Sequence, residues 1–214
     1  MKLLRLAGYI LLGLVLVLGL RASWSYLKDR PESFLGHEEI AIGLPYHSQD
    51  EPTGIRPLGE IESVHPNGHE GIDFQWAYAA QLVATSDGII TGVTKAKDGD
   101  AAVLYVTLKS GEYKSVYKEL ESVASGIRRG TKVKQGDLLG YPHGTRFPEG
   151  HTNYQLHWEF GYDSFPGFSR LCPLEYFDAD SKARIEQAWA KIVPAHTNPT
   201  GQALCNEKFA GLGN

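Results

Sequence analysis

Residues 154–162 alternate strictly, with Tyr154, Leu156, Trp158 and Phe160 set between Gln155, His157, Glu159 and Gly161. A period of two belongs to a β-strand, whose successive side chains point to opposite faces. The aromatic residues therefore share one packed face, and Gln155, His157 and Glu159 share the other. A chain holding such a strand folds around a sheet, and the residues before it agree. Short β-type runs recur at 88–93, 101–108 and 113–117, the last two joined by a turn at Ser110-Gly111-Glu112. Residues 130–140 read as two strands about a glycine turn, and residues 144–153 as a long polar loop. The 24 glycines and 11 prolines supply the turns that a mainly β chain needs. One helix is expected near the C-terminus, capped by Asp180 or Ser181. Ile185, Ala188, Trp189 and Ile192 form its apolar stripe, and it ends before Pro194.

Lys2 and Arg5 precede an apolar run over residues 6–20. This is the charged and hydrophobic pair of an export signal. As a helix the run spans roughly 22 Å, which flanking Arg5, Arg21, Trp24 and Tyr26 lengthen toward a membrane span. Leu20, Arg21 and Ala22 make a poor cleavage site, so an uncleaved anchor is expected, with cleavage and secretion as the alternative. The chain divides into an anchor or signal at 1–22, a tether and lead-in at 23–58, a β domain at 59–178, and a C-terminal helix and tail at 179–214. Cys172 and Cys205 are the two cysteines. In an exported protein they pair readily, with two free thiols as the other reading. A net charge of -4 lacks the basic field of a nucleic-acid binder.

Histidines and carboxylates carry the chemistry. His69 and Asp73 are four residues apart, but Gly68 and Gly71 disfavour a helix between them. In a straight strand the two side chains would lie roughly 13 Å apart, too far for one metal ion. Convergence needs a bend, which Gly71 permits. A histidine, a carboxylate and the distant His157 are a ligand set suited to a catalytic zinc with one open position. By spacing alone this is a weak signal, and a lone outward histidine such as His157 is more often a surface residue.

Four ordered segments together resemble the lysostaphin-type (LytM-like) zinc metallopeptidases, which cut peptide bonds in bacterial peptidoglycan. The family's His-x-Gly-x-Asp opening is similar to His69-Glu70-Gly71-Ile72-Asp73. Its small-residue strand and turn match Ala84-Thr85-Ser86-Asp87-Gly88-Ile89-Ile90. Its glycine hairpin resembles residues 130–140. Its closing His-Leu-His-(Phe/Trp)-Glu strand is met by Gln155-Leu156-His157-Trp158-Glu159. The resemblance covers residues 59–178. It implies a small antiparallel β-sheet domain with a groove over the sheet. It also implies a Zn2+ cofactor held by His69, Asp73 and His157.

Two positions depart from the family. Gln155 stands where the closing motif has its first histidine, and Glu119 stands where a Tyr-x-His-Leu segment has another, here Tyr117-Lys118-Glu119-Leu120. Glutamine does not titrate but can donate an N–H, and a carboxylate can serve as base. Glu119 as base with Gln155 as donor is one reading, with His151 the next candidate base. Glu119 as a solvated charge and Gln155 as a polar filler is the other. The expected function is therefore a membrane-anchored envelope zinc endopeptidase acting on peptidoglycan stem or cross-link peptides. In bacteria it would sit at the inner membrane with the domain facing the periplasm or the exterior. The alternative is an inactive zinc-binding module that binds cell wall or regulates a partner hydrolase. A biotinyl or lipoyl carrier shares the glycine hairpin, but the metal triad and the export signal argue against it. His37, His47, His143 and His196 read as loop residues, and His65 as a residue that lines the groove or turns the chain.

Overall fold

The computed structural model describes residues 39–164 and 167–206. Ten strands form one antiparallel sheet: β1 (Gly54–Arg56), β2 (Ile72–Trp76), β3 (Leu82–Val83), β4 (Gly88–Asp98), β5 (Ala101–Ser110), β6 (Tyr113–Val123), β7 (Lys132–Val133), β8 (Leu138–Arg146), β9 (Thr152–Ser164) and β10 (Gly167–Arg170). The main order is β1-β2-β9-β8-β6-β5-β4-β7, with β10 added on β9 and β3 on β8. One α-helix, α1 (Ala179–Ile192), follows the strands. The mainly β architecture with a C-terminal helix is thus the one the alternation implies. The apolar run at 6–20 lies outside the described residues. Among the described residues no helix is long and apolar enough to cross a membrane.

β9 is the sheet's organising strand. Leu156, Trp158 and Phe160 are buried, as the period-two pattern requires. Trp158 stacks on Phe177 and Phe160 packs on Tyr176, both from the chain leading into α1. Tyr46 packs edge-on against Phe74 and Trp76 of β2. Residues 40–58, expected to be lead-in, are part of this body. Ile42, Leu44, Tyr46, Ile55 and Leu58 are all buried in the core. Pro45, Pro52 and Pro57 keep that segment irregular, yet its backbone is bonded to the body, as in Ile42 N to Tyr176 O (2.8 Å) and Asp178 N to Ile42 O (2.8 Å).

Three local expectations are corrected. The polar loop is short, because β8 runs to Arg146 and β9 begins at Thr152, with Gly144 paired to Tyr154 and Thr145 to Asn153. α1 is capped by Asp178, whose side chain accepts from Ser181 N at 2.8 Å, so the helix begins at Ala179. β6 runs on to Val123, past the predicted end at Tyr117. Cys172 and Cys205 form a disulfide that ties the C-terminal segment to the end of β10.

β6 changes partner along its length. Tyr113–Lys118 pair with β9, whereas Leu120–Val123 pair with β8. Between them sits Glu119 at φ 65°, the one residue other than glycine with positive φ among the described residues. Against β5 the register also slips here, with Leu104 opposite Leu120 but Val106 opposite Tyr117. This is a β-bulge, an extra residue that re-aims one side chain. Tyr117 and Leu120 both face the core, so strict alternation would send Glu119 inward from Lys118. The bulge instead brings its carboxylate to the face of Gln155. Holding a glutamate in the left-handed region costs on the order of 1–3 kcal/mol.

Candidate metal centre

His69 lies just before β2, ahead of a bend at Glu70 and Gly71, and Asp73 lies within β2. β9 pairs alongside, with His157 directly opposite Asp73. Three atoms meet as a result. His69 Nε2 lies 3.1 Å from His157 Nδ1 and 3.1 Å from Asp73 Oδ1, and His157 Nδ1 lies 2.8 Å from the same Oδ1. All three residues are buried. In a tetrahedral zinc site with bonds of about 2.0–2.1 Å, neighbouring ligand atoms lie roughly 3.3 Å apart. The observed triangle is close to one face of that tetrahedron, so the donor set fits the ion.

The partners behind the histidines sharpen the fit. His69 Nδ1 lies 3.1 Å from the Pro57 carbonyl, which can only accept, so Nδ1 carries the proton and Nε2 presents its lone pair. His157 Nε2 lies 3.2 Å from Glu159 Oε1, so it donates there and Nδ1 faces the centre. These are the outer-shell contacts that orient metal-binding histidines. Arg56 Nη1 engages the other oxygen of Asp73, Oδ2, at 3.2 Å and leaves Oδ1 free for a cation. Glu159 is itself held by Lys118 and by Arg170, whose Nη2 is 3.4 Å from Oε2.

The electrostatics describe a site that wants positive charge. Burial opposes ionisation of Asp73, but the hydrogen bond from His157 and the close imidazole of His69 outweigh it and hold the carboxyl well below the usual range. Burial likewise opposes charge on His157, yet Asp73 and Glu159 overcome it and raise its pKa to about 9. For Glu159 burial works against the charged form, and His157 and Lys118 outweigh it to give about 2. A metal cation held in the triangle would have to displace the proton on His157, so its binding would strengthen as pH rises.

Glu119 and Gln155 sit together on this face. Gln155 Nε2 donates to Glu119 Oε2 at 3.0 Å, and Gln155 Oε1 accepts from Gln75 Nε2 at 3.1 Å. Burial raises the Glu119 pKa above the usual 4.5, and the charge of Asp73 adds to that. All five residues singled out in the sequence therefore share one face of the sheet. A groove of about 580 Å³ adjoins it, lined by Arg56, Glu60, Glu62, Gln75 and His196 among others. His65 places its ring 4.9 Å from that of His69. His151 stacks on Phe147 in the loop between β8 and β9. His143 is on strand β8, directly opposite Gln155, and so is no loop residue. His196 bonds the Ile55 carbonyl at 2.9 Å. His37 lies outside the described residues.

Sequence reasoning did not find Arg56, the Pro57 carbonyl, Lys118 or Arg170. Glu159 was legible in part, since period two puts it on the face of His157. Arg56 carried no signal, because its segment reads as a tether until β1 is seen to pair with β2.

Gly71 has a packing reason beyond the bend. A Cβ there would lie 2.6 Å from the Trp158 carbonyl and 2.8 Å from His157 Nε2, closer than real contacts allow. Gly71→Ala is therefore expected to push β2 off β9, destabilise by roughly 1–3 kcal/mol and weaken metal binding. Denaturant unfolding beside zinc titration checks this, and wild-type values in both would refute it.

Residues 67–166 match the profile described as Peptidase family M23. No curated protein matches the sequence. Solved structures with similar backbones include Helicobacter pylori Csd3, 18% identical with TM-score 0.47, over 74% of this chain and 44% of that one. Lysostaphin from Staphylococcus simulans is 18% identical with TM-score 0.48, over 65% and 56%. A zinc-containing peptidase from Vibrio cholerae is 23% identical with TM-score 0.43, over 57% and 37%. The chain thus spans under half of Csd3. Residues 67–166, just under half of the chain, thus match peptidase family M23, which fits the lysostaphin-type, LytM-like resemblance of the sequence, with Glu119 and Gln155 standing where that resemblance leads one to expect histidines.

Proposed function

We propose that this protein is a zinc endopeptidase of the bacterial envelope that cuts peptides of peptidoglycan. Its zinc ligands are His69, Asp73 and His157. The observation that carries the reading is the meeting of two imidazole nitrogens and one carboxylate oxygen at a single buried point, with the carboxylate of Glu119 on the same face. Zinc bound there supplies a Lewis acid that acidifies water and polarises a scissile carbonyl. Glu119 Oε takes the proton of the attacking water and passes it to the leaving amine. Gln155 Nε2 holds that carboxylate in place, and in the transition state can turn its N–H to the developing oxyanion. The adjoining groove gives an extended peptide room beside the site. An anchor at residues 1–22 would hold the domain at the inner membrane, facing the periplasm. The disulfide agrees with an oxidising compartment outside the cytoplasm.

A second reading is supported by the side-chain chain Gln75–Gln155–Glu119. It is closed by its own hydrogen bonds and contains no histidine. On that reading the protein keeps the metal but not the turnover, and binds cell-wall peptides or a partner hydrolase. Zinc-loaded protein incubated with purified peptidoglycan separates the two. Release of new amino termini, absent in His69→Ala, is the expected result. No release at any zinc concentration, alone or with candidate partners, turns the conclusion to the binding module.

A further inference from the structure

The C-terminal segment is bonded to the backbone that holds His69. Leu58 N donates to Leu204 O at 3.0 Å, and Asn206 N donates to Leu58 O at 2.9 Å. Asn206 Nδ2 adds a bond to the Gly59 carbonyl at 3.1 Å. The same short run holds His69 on its other side. Gly59 N donates to the His69 carbonyl at 2.7 Å, His69 N donates to Glu60 O at 2.9 Å, and the Pro57 carbonyl fixes the His69 ring. Residues 204–206 therefore form a strap one residue layer behind a metal ligand. Cys205 lies in the middle of this strap, and its disulfide partner Cys172 follows β10, the strand that carries Arg170. Arg170 is, with Lys118, one of the two residues that brace Glu159 behind His157. One covalent bond thus joins the strap behind His69 to the segment that follows Arg170.

We infer that the strap pinned by Cys172–Cys205 positions His69, and so sets how tightly the centre holds its metal. The inference rests on the zinc-site reading above. The physical reason is the length of the segment. The bridge at Leu58 is only two backbone bonds long, and although Leu204 and Cys205 are buried and Asn198 and Thr200 bond Ile61, so short a bridge depends on the strap staying packed and opens where that packing loosens. The disulfide limits how far Cys205 can move from β10 and keeps the bridge closed. When it opens, Pro57 and Gly59 are free to shift. His69 then loses the acceptor that fixes its tautomer, and its Nε2 lone pair is no longer held toward the centre.

Two variants test this in the full-length protein, Cys172→Ala/Cys205→Ala and Asn206→Ala. Zinc affinity is read by competition with a chromophoric chelator. Outer-shell changes typically weaken metal binding about 10- to 100-fold. The double variant is expected to weaken it about tenfold, and Asn206→Ala by about threefold. Leu108→Ala, buried in β5 away from the strap, controls for stability alone and is expected to leave affinity unchanged below its melting temperature. A second readout needs no metal. The imidazole nitrogen shifts of His69 in the zinc-free protein should show one tautomer in wild type and a mixture in the double variant. If the double variant does not fold, Asn206→Ala decides the matter by the same two readouts. Unchanged affinity and an unchanged His69 tautomer in the folded variants overturn the inference, as does an equal loss in Leu108→Ala. A wild type that binds no zinc instead removes the reading on which it rests.

Discussion

Asp73→Ala should abolish useful zinc binding, lowering affinity at least about 10²-fold. The magnitude follows from sharing a typical ~10–16 kcal/mol of zinc-site binding among three or four ligands, so that each supplies roughly 3 kcal/mol or more. Asp73 is the severest of the three losses because it brings the only negative charge in the triangle, and its removal leaves two histidines and Arg56 facing one another. Metal content after reconstitution and dialysis measures it directly. His69→Ala and His157→Ala should follow closely, since each removes one lone pair but leaves the charge. Wild-type metal content in the Asp73 variant would mean that the ion sits elsewhere, or that the triangle is only a buried ion pair.

Glu119→Gln should lower turnover of peptidoglycan by about two orders of magnitude or more while zinc stays bound. General-base catalysis contributes typically ~10²- to 10⁴-fold, and glutamine has the shape of glutamate without its basicity. The pH profile supplies a second mark. Glu119 acts only when ionised, and its pKa is raised by burial and by Asp73. Activity should therefore fall as pH drops through that raised value, at a midpoint above 4.5, the usual value for glutamate. In Glu119→Gln the residual activity should lack that acid limb. A variant as active as wild type, with the limb intact, would remove Glu119 from the mechanism and bring His151 or His143 forward as base. Gln155→Ala should cost less than Glu119→Gln, because it removes a neutral donor and no proton acceptor.

The bulge at Glu119 makes a related point about the two substituted positions. A left-handed backbone is unfavourable for a glutamate, and no glycine relieves it. Its geometry is held by pairing on both sides, with Lys118 opposite His157 and Leu120 opposite Pro142. The side chain is then satisfied by Gln155 in the next strand. Sheet pairing, not local preference, thus gives a titratable group its place on the metal face, whichever residue occupies it.

The sequence by itself determined the sheet, the face and the ligand types. Alternation in residues 154–162 fixes which side of β9 is packed, because the side-chain period of a strand is two whatever surrounds it. Helical spacing of Ile185, Ala188 and Trp189 fixes α1 for the same kind of reason. What only the tertiary structure decided is everything that depends on residues distant in the chain. The pairing of β2 with β9 sets Asp73 opposite His157, 84 residues later in the chain, and no local pattern encodes that register. Arg56, Pro57 and the 204–206 strap lie in segments without regular periodicity, so their roles arise only when β1 and the C-terminal tail close around His69. Glu119 shows the contrast in one residue. Its own strand's period would turn it into the core, and the competing demands of β8 and β9 on the two halves of β6 turn it back to the site.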